Sequence, residues 1–290
     1  MRLASFVEPD APSVVRTGLV VGDEVVDLTD PEVGLPGDMG ALLVGGPGSL
    51  ERAQAAPASS ARRLGLGAVQ LRPPVPKPAK VLGIGLNYAA HVAETGAQTP
   101  NYQVWFNKQR TCVIGPGEAI EIPAVSSQVD YEGELAMVVG RRCRHVARSE
   151  AADVIAGFTI LNDVTVRDWQ WRTPTWTLGK SFDTHGPTGP WIVTADEVGD
   201  PQRLRLRTWV NDELRQDSST DDMIFSCWEQ VEYLSTVFTL EPGDILSTGT
   251  PAGVGVGFDP PRYLVPGDTV RVEVDAIGTL QNPVVAQPAP

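Results

Sequence analysis

The sequence contains little cysteine, no basic stretch and no long apolar run. Its three cysteines, Cys112, Cys143 and Cys227, are too few and too scattered for a disulfide framework or a zinc site, which favours a reduced, cytoplasmic setting. The net charge of −13 argues against nucleic acid as a partner. No segment approaches the roughly 18 apolar residues of a membrane helix, and the N-terminal residues lack the apolar run of a signal peptide. We therefore expect a globular protein with no membrane partner.

The length of the chain suits one large domain and one small domain. Residues 1–75 are predicted to form a small N-terminal domain, with a hairpin that turns at Gly22–Asp23 and a helix from Ser49 to Arg63. A proline-rich connector, residues 72–78, separates it from a second domain that spans residues 76–290.

The second domain reads as short strands separated by glycine and proline turns. One helix is expected from Trp228 to Val237, where Val231 and Leu234 recur at helical spacing. The tail from Pro283 to Pro290 is rich in proline and is predicted to be loosely ordered. Many strands with few helices predict an α+β fold that is mostly β.

An acidic segment leads into an apolar strand. Asp130, Glu132 and Glu134 are two residues apart, so a strand would place their carboxylates on one face. Like charges that are crowded and buried are destabilising unless a hard divalent cation such as Mg²⁺ binds them. Asp163 ends a second apolar strand and offers a further oxygen ligand. A solvated acidic edge, with Asp163 as a cap or turn residue, is the alternative.

Polar residues that could bind an anion follow Asp163. Arg167 and Gln170 are three apart and would share one face of a helix. Lys180 lies between residues that favour burial, and a buried lysine needs an anionic partner. That partner could equally belong to a structural salt bridge.

His91 and Glu94 are also three apart, so a helix would bring them together. A carboxylate orients a neighbouring imidazole and raises its basicity, which makes the pair a candidate general base. An ordinary exposed helical pair is the alternative.

Several motifs resemble the fumarylacetoacetate hydrolase family, in order, from about Lys80 to the C-terminus. They are YEGEL, LNDVTVRDWQ, WTLGKSFDTHGPTGPW, STGTPAGVG and the N-Y-x-x-H-x-x-E segment that contains His91 and Glu94. The resemblance implies a mixed β-sandwich roll in which Glu132, Glu134 and Asp163 bind Mg²⁺ or Mn²⁺. It also implies that Lys180, Gln170 and Arg167 line the substrate pocket, and that Thr250 holds the substrate carboxylate.

By this resemblance, the expected activity is metal-dependent hydrolysis of the C–C bond of acylpyruvate-like or 2,4-dioxo acids through a metal-stabilised enolate, with Lys180 adding positive charge. Decarboxylation of an oxaloacetate-type acid, or isomerisation of an unsaturated 2-hydroxy or 2-oxo acid, could use the same site. A catalytically silent metal-binding protein is the remaining hypothesis. The family resemblance also implies a homodimer.

Overall fold

The computed structural model describes residues 1–288 and is built mainly from strands. In chain order the strands are β1 (Arg2–Glu8), β2 (Ala11–Val21), β3 (Glu24–Asp27), β4 (Arg63–Gly65), β5 (Gln70–Arg72), β6 (Val81–Gly85), β7 (Val104–Lys108), β8 (Val113–Ile114), β9 (Ile120–Ile122), β10 (Val129–Asp130), β11 (Gly133–Val139), β12 (Ile155–Asn162), β13 (Thr165–Val166), β14 (Gly186–Thr194), β15 (Arg205–Val210), β16 (Glu213–Ser219), β17 (Ile245–Ser247), β18 (Thr269–Val274) and β19 (Gly278–Ala286).

The helices are short and lie between the strands. They are α1 (Met39–Val44), α2 (Gly46–Ala55), α3 (Ala89–Glu94), α4 (Arg167–Gln170), α5 (Ala195–Val198) and α6 (Cys227–Val237). Single turns of 3₁₀ helix occupy several connections, and one of them, Gly255–Gly257, lies beside the site described below. Within residues 1–288, no helix is long and apolar enough to cross a membrane.

Two sheets carry the architecture. The larger sheet has the order β4-β3-β2-β1-β14-β12-β11-β17-β6-β7, with β5 on β1 and β8 on β14, and the smaller one has the order β16-β15-β18-β19-β9. β10 and β13 form a separate two-stranded ladder. The predicted α+β fold, mostly β, is therefore confirmed.

Strand β11 is buried on both faces, and its alternating side chains enter two different cores. Leu135 and Met137 pack into the core between the two sheets, together with residues of β12, β18 and α6. Ala136 and Val138 point the other way, into a core that contains Leu42 and other residues of the N-terminal helices. A strand covered on both faces is held firmly, so the residues at its start have a well-defined position.

The structure tests several local predictions. The hairpin at Gly22–Asp23 is confirmed, because Val21 pairs with Glu24 across the turn. The helix predicted for Trp228–Val237 is confirmed as α6, with a capping box at Ser226. The helix predicted from Ser49 to Arg63 is too long: α2 ends at Ala55 because Pro57 cannot continue the hydrogen-bond pattern.

The prediction for the C-terminal tail is wrong for residues 283–286. These residues belong to β19, which pairs with β18 on one side and with β9 on the other, so two neighbouring strands order a segment whose composition suggested disorder. Residues 289 and 290 lie outside the described range.

The N-terminal segment shares the larger sheet with the remainder of the chain. Arg2 and Leu3 of β1 pair with Val193 and Ile192 of β14. The boundary near residue 75 stays a prediction about the chain's division into domains.

Candidate active site

Three buried carboxylates meet where β11 begins and β12 ends. Glu132, Glu134 and Asp163 each offer an oxygen, and these oxygens lie within 4.8 Å of one another. The antiparallel register of the two strands causes this meeting, since Gly133 pairs with Asn162. The three side chains are each 5% exposed or less. The cluster thus arises from neighbouring strands and does not depend on a flexible loop.

Backbone hydrogen bonds fix the two strand ends against each other. The Glu132 N–H donates to Oδ1 of Asn162 at 3.0 Å, and the Asp163 N–H donates to the Glu132 carbonyl at 2.8 Å. On the other side, Oε2 of Glu134 accepts from the Ser247 hydroxyl and, at 3.0 Å, from the Gly249 N–H. Sequence reasoning did not identify Ser247 as a partner of this cluster.

Two lysines neutralise part of this negative charge. Nζ of Lys180 lies 2.7 Å from Oε2 of Glu132 and 2.7 Å from Oδ2 of Asp163. Nζ of Lys108 lies 2.6 Å from Oδ1 of Asp163 and also donates to the Lys180 carbonyl. Lys108 was missed in the sequence, although its strand offered a signal: it is two residues after buried Phe106 and therefore faces the same side.

The pKa values in the cluster reflect burial and neighbouring charges. Burial, followed by the charges of Asp163 and Glu132, raises the pKa of Glu134 well above its usual value. Burial alone would raise the pKa of Glu132 too, but the charges of Lys180 and Arg167 outweigh it and lower that pKa. Glu132 therefore stays ionised. Burying a further negative charge beside it is costly, and this cost appears as the raised pKa of Glu134.

Asp130 does not join the cluster, and the prediction that it shares one face with both glutamates is wrong. The strand breaks at Tyr131 and Glu132, between β10 and β11, so the two-residue alternation does not continue. The Asp130 carboxylate instead faces Arg167, whose Nε donates to it at 2.8 Å. A nearby cation thus determines where this side chain points.

Arg167 and Gln170 meet on the single turn of α4, as their spacing predicts. Nη1 of Arg167 donates to Oε1 of Gln170 at 3.1 Å and lies 2.6 Å from Oε1 of Glu132. Thr250 lies near them, where its hydroxyl donates to the Gly133 carbonyl at 2.9 Å and accepts from Gln216 at 2.8 Å. Gln216, on β16, was not singled out in the sequence.

His91 and Glu94 lie together on α3. Nδ1 of His91 is 3.3 Å from Oε2 of Glu94, and the other carboxylate oxygen of Glu94 accepts from the Gly253 N–H at 2.9 Å. The side chains are 11% and 20% exposed, so the pair is partly shielded from water. This arrangement differs from an ordinary exposed helical pair.

One cavity of about 310 Å³ brings most of the predicted site residues together, although Glu94 is not among its lining residues. Its polar lining consists mainly of His91, Glu132, Glu134, Arg167, Gln170, Lys180 and Thr250, and its apolar lining includes Trp171 and Trp176. Asp163 is not among the lining residues and contacts the two lysines instead. Trp105 and Trp169 pack against the core.

His185 does not line this cavity. Its ring is fully buried, and its Nε2 lies 2.8 Å from the Glu121 carbonyl. Burial lowers the pKa of His185 to about 4, which keeps the ring neutral at physiological pH.

Lys108 gives the first testable prediction. Lys108→Met is expected to lower the free energy of unfolding by about 3 to 5 kcal/mol, because removal of one partner leaves a buried carboxylate short of a counter-charge. Urea unfolding measures this change. Arg205→Met, which removes one partner of an ion pair on the surface, is the control and should change the stability far less. A similar small loss for both variants would contradict the structural role of Lys108.

The carboxylate cluster fits a hard divalent cation. Mg²⁺ and Mn²⁺ prefer carboxylate oxygens, and three such oxygens lie close enough here to share one ion. A cavity lined by Glu132 and Glu134, by the cations Arg167 and Lys180 and by His91 can bind an organic anion and transfer a proton to or from it.

The sequence and the structure of this chain are similar to those of several known proteins. The model "Fumarylacetoacetate (FAA) hydrolase C-terminal" matches residues 80–285. An oxaloacetate tautomerase, fahd2, from Xenopus laevis is 39% identical over 98% of this chain and 90% of its own. A solved structure of fumarylacetoacetate hydrolase from Exiguobacterium antarcticum superposes with a TM-score of 0.88 at 37% identity, covering 99% of this chain and all of the other.

A second solved structure is a maleylpyruvate hydrolase from Sphingobium sp. SYK-6 in complex with manganese(II) and pyruvate. It has a TM-score of 0.81 at 35% identity and covers 99% of this chain and all of its own. Since the family match covers most of the sequence and similarity to these proteins extends along nearly all of it, the chain belongs to the fumarylacetoacetate hydrolase family.

Proposed function

We propose that this protein is a divalent-metal-dependent hydrolase that cleaves the C–C bond of acylpyruvate-like or 2,4-dioxo acids. The observation that carries the proposal is that His91, whose Nδ1 lies 3.3 Å from Oε2 of Glu94, lines the same cavity as the carboxylates Glu132 and Glu134. A base beside an anion-binding site is what hydrolysis of such an acid requires. The similarity to the maleylpyruvate hydrolase in complex with manganese(II) and pyruvate supports the same proposed reaction.

Glu132, Glu134 and Asp163 would hold Mg²⁺ or Mn²⁺. When bound, such an ion supplies Lewis-acid stabilisation of negative charge at the 2-oxo end of a substrate. The protein contributes the buried position of these carboxylates and the fixed strand ends that carry them.

The cationic and polar side chains would bind and orient the 2-oxo acid end. Arg167 and Gln170 present donors to its carboxylate, and Thr250 lies at the same wall of the cavity. Lys180, fully buried, places positive charge where the departing fragment gains electrons. Burial would lower the pKa of Lys180, but the charges of Asp163 and Glu132 raise it, so the amine stays protonated.

His91 would take a proton from water while Glu94 orients its ring. The water oxygen then forms a bond to the distal carbonyl carbon. The C–C bond between that carbon and C3 breaks, and its electron pair moves to the 2-oxo fragment as an enolate. Return of the proton from His91 to C3 gives the 2-oxo acid, and the acyl group leaves as a carboxylic acid.

The second candidate function comprises three related reactions. They are proton transfer within an oxaloacetate-type acid, loss of CO₂ from such an acid, and isomerisation of an unsaturated 2-hydroxy or 2-oxo acid. The name of the Xenopus laevis relative favours an oxaloacetate-type substrate. These reactions need the same enolate but no activated water. The feature that favours hydrolysis is His91, which lines the cavity and has Glu94 beside its Nδ1.

A substrate panel with metal control tests the proposal. Exhaustive chelation should abolish turnover, and Mg²⁺ or Mn²⁺ should restore it, because the carboxylate cluster needs a divalent ion to bind the 2-oxo acid. We expect acylpyruvates to be hydrolysed with a higher kcat/KM than oxaloacetate is tautomerised or decarboxylated. The opposite order would favour the second candidate, and full activity after chelation would exclude both.

Absence of turnover on the whole panel would instead support a silent metal-binding protein. Homodimer assembly and a cytoplasmic location remain predictions drawn from the sequence and from the family resemblance.

A further inference from the structure

Asp130 is a fully buried carboxylate that the proposed reaction does not use. It accepts hydrogen bonds from the backbone N–H groups of Tyr131 at 2.9 Å, Gly255 at 2.7 Å and Val256 at 2.9 Å. Its remaining partner is the side chain of Arg167. Three backbone donors on one carboxylate fix its orientation, so Asp130 is a rigid support for that arginine.

Arg167 is held between two carboxylates, one at the end of β10 and one just before β11. Its Nε donates to Oδ2 of Asp130 at 2.8 Å, and its Nη1 lies 2.6 Å from Oε1 of Glu132. Its Nη2 also lies 2.8 Å from Oδ2 of Asp130, so Nε and Nη2 face the same carboxylate oxygen. Arg167 lines the cavity, so the orientation of its guanidinium decides what a substrate carboxylate meets at that wall.

The loop from Gly253 to Gly257 is shaped around this support. A Cβ atom at Gly255 would lie 2.6 Å from Oδ1 of Asp130, which is too close for any side chain. A Cβ at Gly257 would lie 2.6 Å from the carboxyl carbon of Glu94. The same loop therefore receives two carboxylates, one that holds Arg167 and one that orients His91.

We propose that Asp130 is a positioning residue that acts through Arg167. Its charge and its three backbone contacts fix the guanidinium in one orientation at the cavity wall, where Arg167 meets the carboxylate of a 2-oxo acid. This proposal rests on the proposed function, because it takes a 2-oxo acid as the ligand. Binding of pyruvate to the Mn²⁺-loaded protein tests the role of Asp130 without turnover. The result therefore does not depend on which reaction the protein catalyses.

Asp130→Asn keeps the shape of the side chain and removes its charge. We expect the Kd for pyruvate, measured by calorimetry with saturating Mn²⁺, to rise about 10-fold or more, in the range seen when a supporting partner of a site residue is lost. The affinity for Mn²⁺ itself should change less than about 3-fold, since Asp130 is outside the carboxylate cluster. Asp217→Asn, at the surface pair with Arg205, is the matched control and should leave pyruvate binding unchanged.

A double-mutant cycle separates positioning from a general structural role. If Asp130 acts through Arg167, the variant with both Asp130→Asn and Arg167→Met should bind pyruvate no more weakly than Arg167→Met alone. This comparison remains informative if Asp130→Asn by itself fails to fold, because removal of both charges leaves no buried ion without a partner. Additive losses, or an unchanged Kd in a folded Asp130→Asn variant, would overturn the proposal.

Discussion

Glu134→Gln is expected to reduce metal-dependent turnover by at least about 10³-fold and to weaken Mn²⁺ binding. Loss of one of three anionic ligands removes several kcal/mol of stabilisation, and about 4 kcal/mol corresponds to that factor. This position is the cleanest test of the cluster because, within residues 1–288, Glu134 forms no ion pair with a lysine or arginine, whereas Asp163 contacts two lysines. Any loss of function can then be assigned to the metal.

The stability of the metal-free Glu134→Gln variant should stay close to that of the parent. A glutamine carbonyl can accept the same two hydrogen bonds, from the Ser247 hydroxyl and the Gly249 N–H. Burial already raises the pKa of Glu134, so an uncharged side chain suits this position. Calorimetric titration with Mn²⁺ and urea unfolding of the metal-free protein are the two measurements.

Glu51→Gln, on the exposed face of α2, provides the control and should change neither Mn²⁺ affinity nor turnover. Retention of full Mn²⁺ affinity by Glu134→Gln would remove Glu134 from the ligand set. A large loss of stability without metal would show that its charge has a structural role instead.

His91→Ala is expected to lower acylpyruvate hydrolysis by about 10²-fold or more, the usual contribution of a positioned general base. Mn²⁺ affinity should remain nearly the same, because the imidazole is not one of the clustered ligands. Decarboxylation of oxaloacetate should survive much better, since it needs no activated water. Parallel assays of the two reactions, with Mn²⁺ titration of the same samples, measure the difference.

Lys180→Met is the matched comparison, and it should depress both reactions because, in the proposed mechanism, the charge of Lys180 stabilises the enolate that they share. Equal loss of both reactions in His91→Ala would mean that His91 shapes the cavity and does not activate water. Undiminished hydrolysis would exclude it from the mechanism.

Sequence spacing located the parts of the site that depend on neighbouring residues. Glu132 and Glu134 are two apart at the start of a strand, and Arg167 and Gln170 are three apart on one turn, so local geometry was enough to place each pair. Asp163 follows the end of β12, and consecutive antiparallel strands place the end of the second beside the start of the first, where Glu132 and Glu134 lie.

Spacing along the sequence could not predict contacts between residues that lie far apart in the chain. Lys108 reaches Asp163 across 55 residues and Gly255 reaches Asp130 across 125, and no local pattern specifies either contact. Asp130 fits the alternation of a strand, yet a cation 37 residues away redirects it. Tertiary pairing likewise orders residues 283–286, whose composition alone favours disorder.

The pairing of β6 with β17 has a consequence for the order in which the molecule folds. β6 leads into α3, which carries His91, and its parallel partner β17 begins 160 residues after β6 ends. At typical synthesis rates the first strand emerges roughly 8 to 30 seconds before the second. Closing so long a loop is entropically costly and slow, so His91 and the acidic cluster come together late, after the β11–β12 hairpin can already exist. Catalytic competence should therefore be among the last properties that a nascent chain acquires.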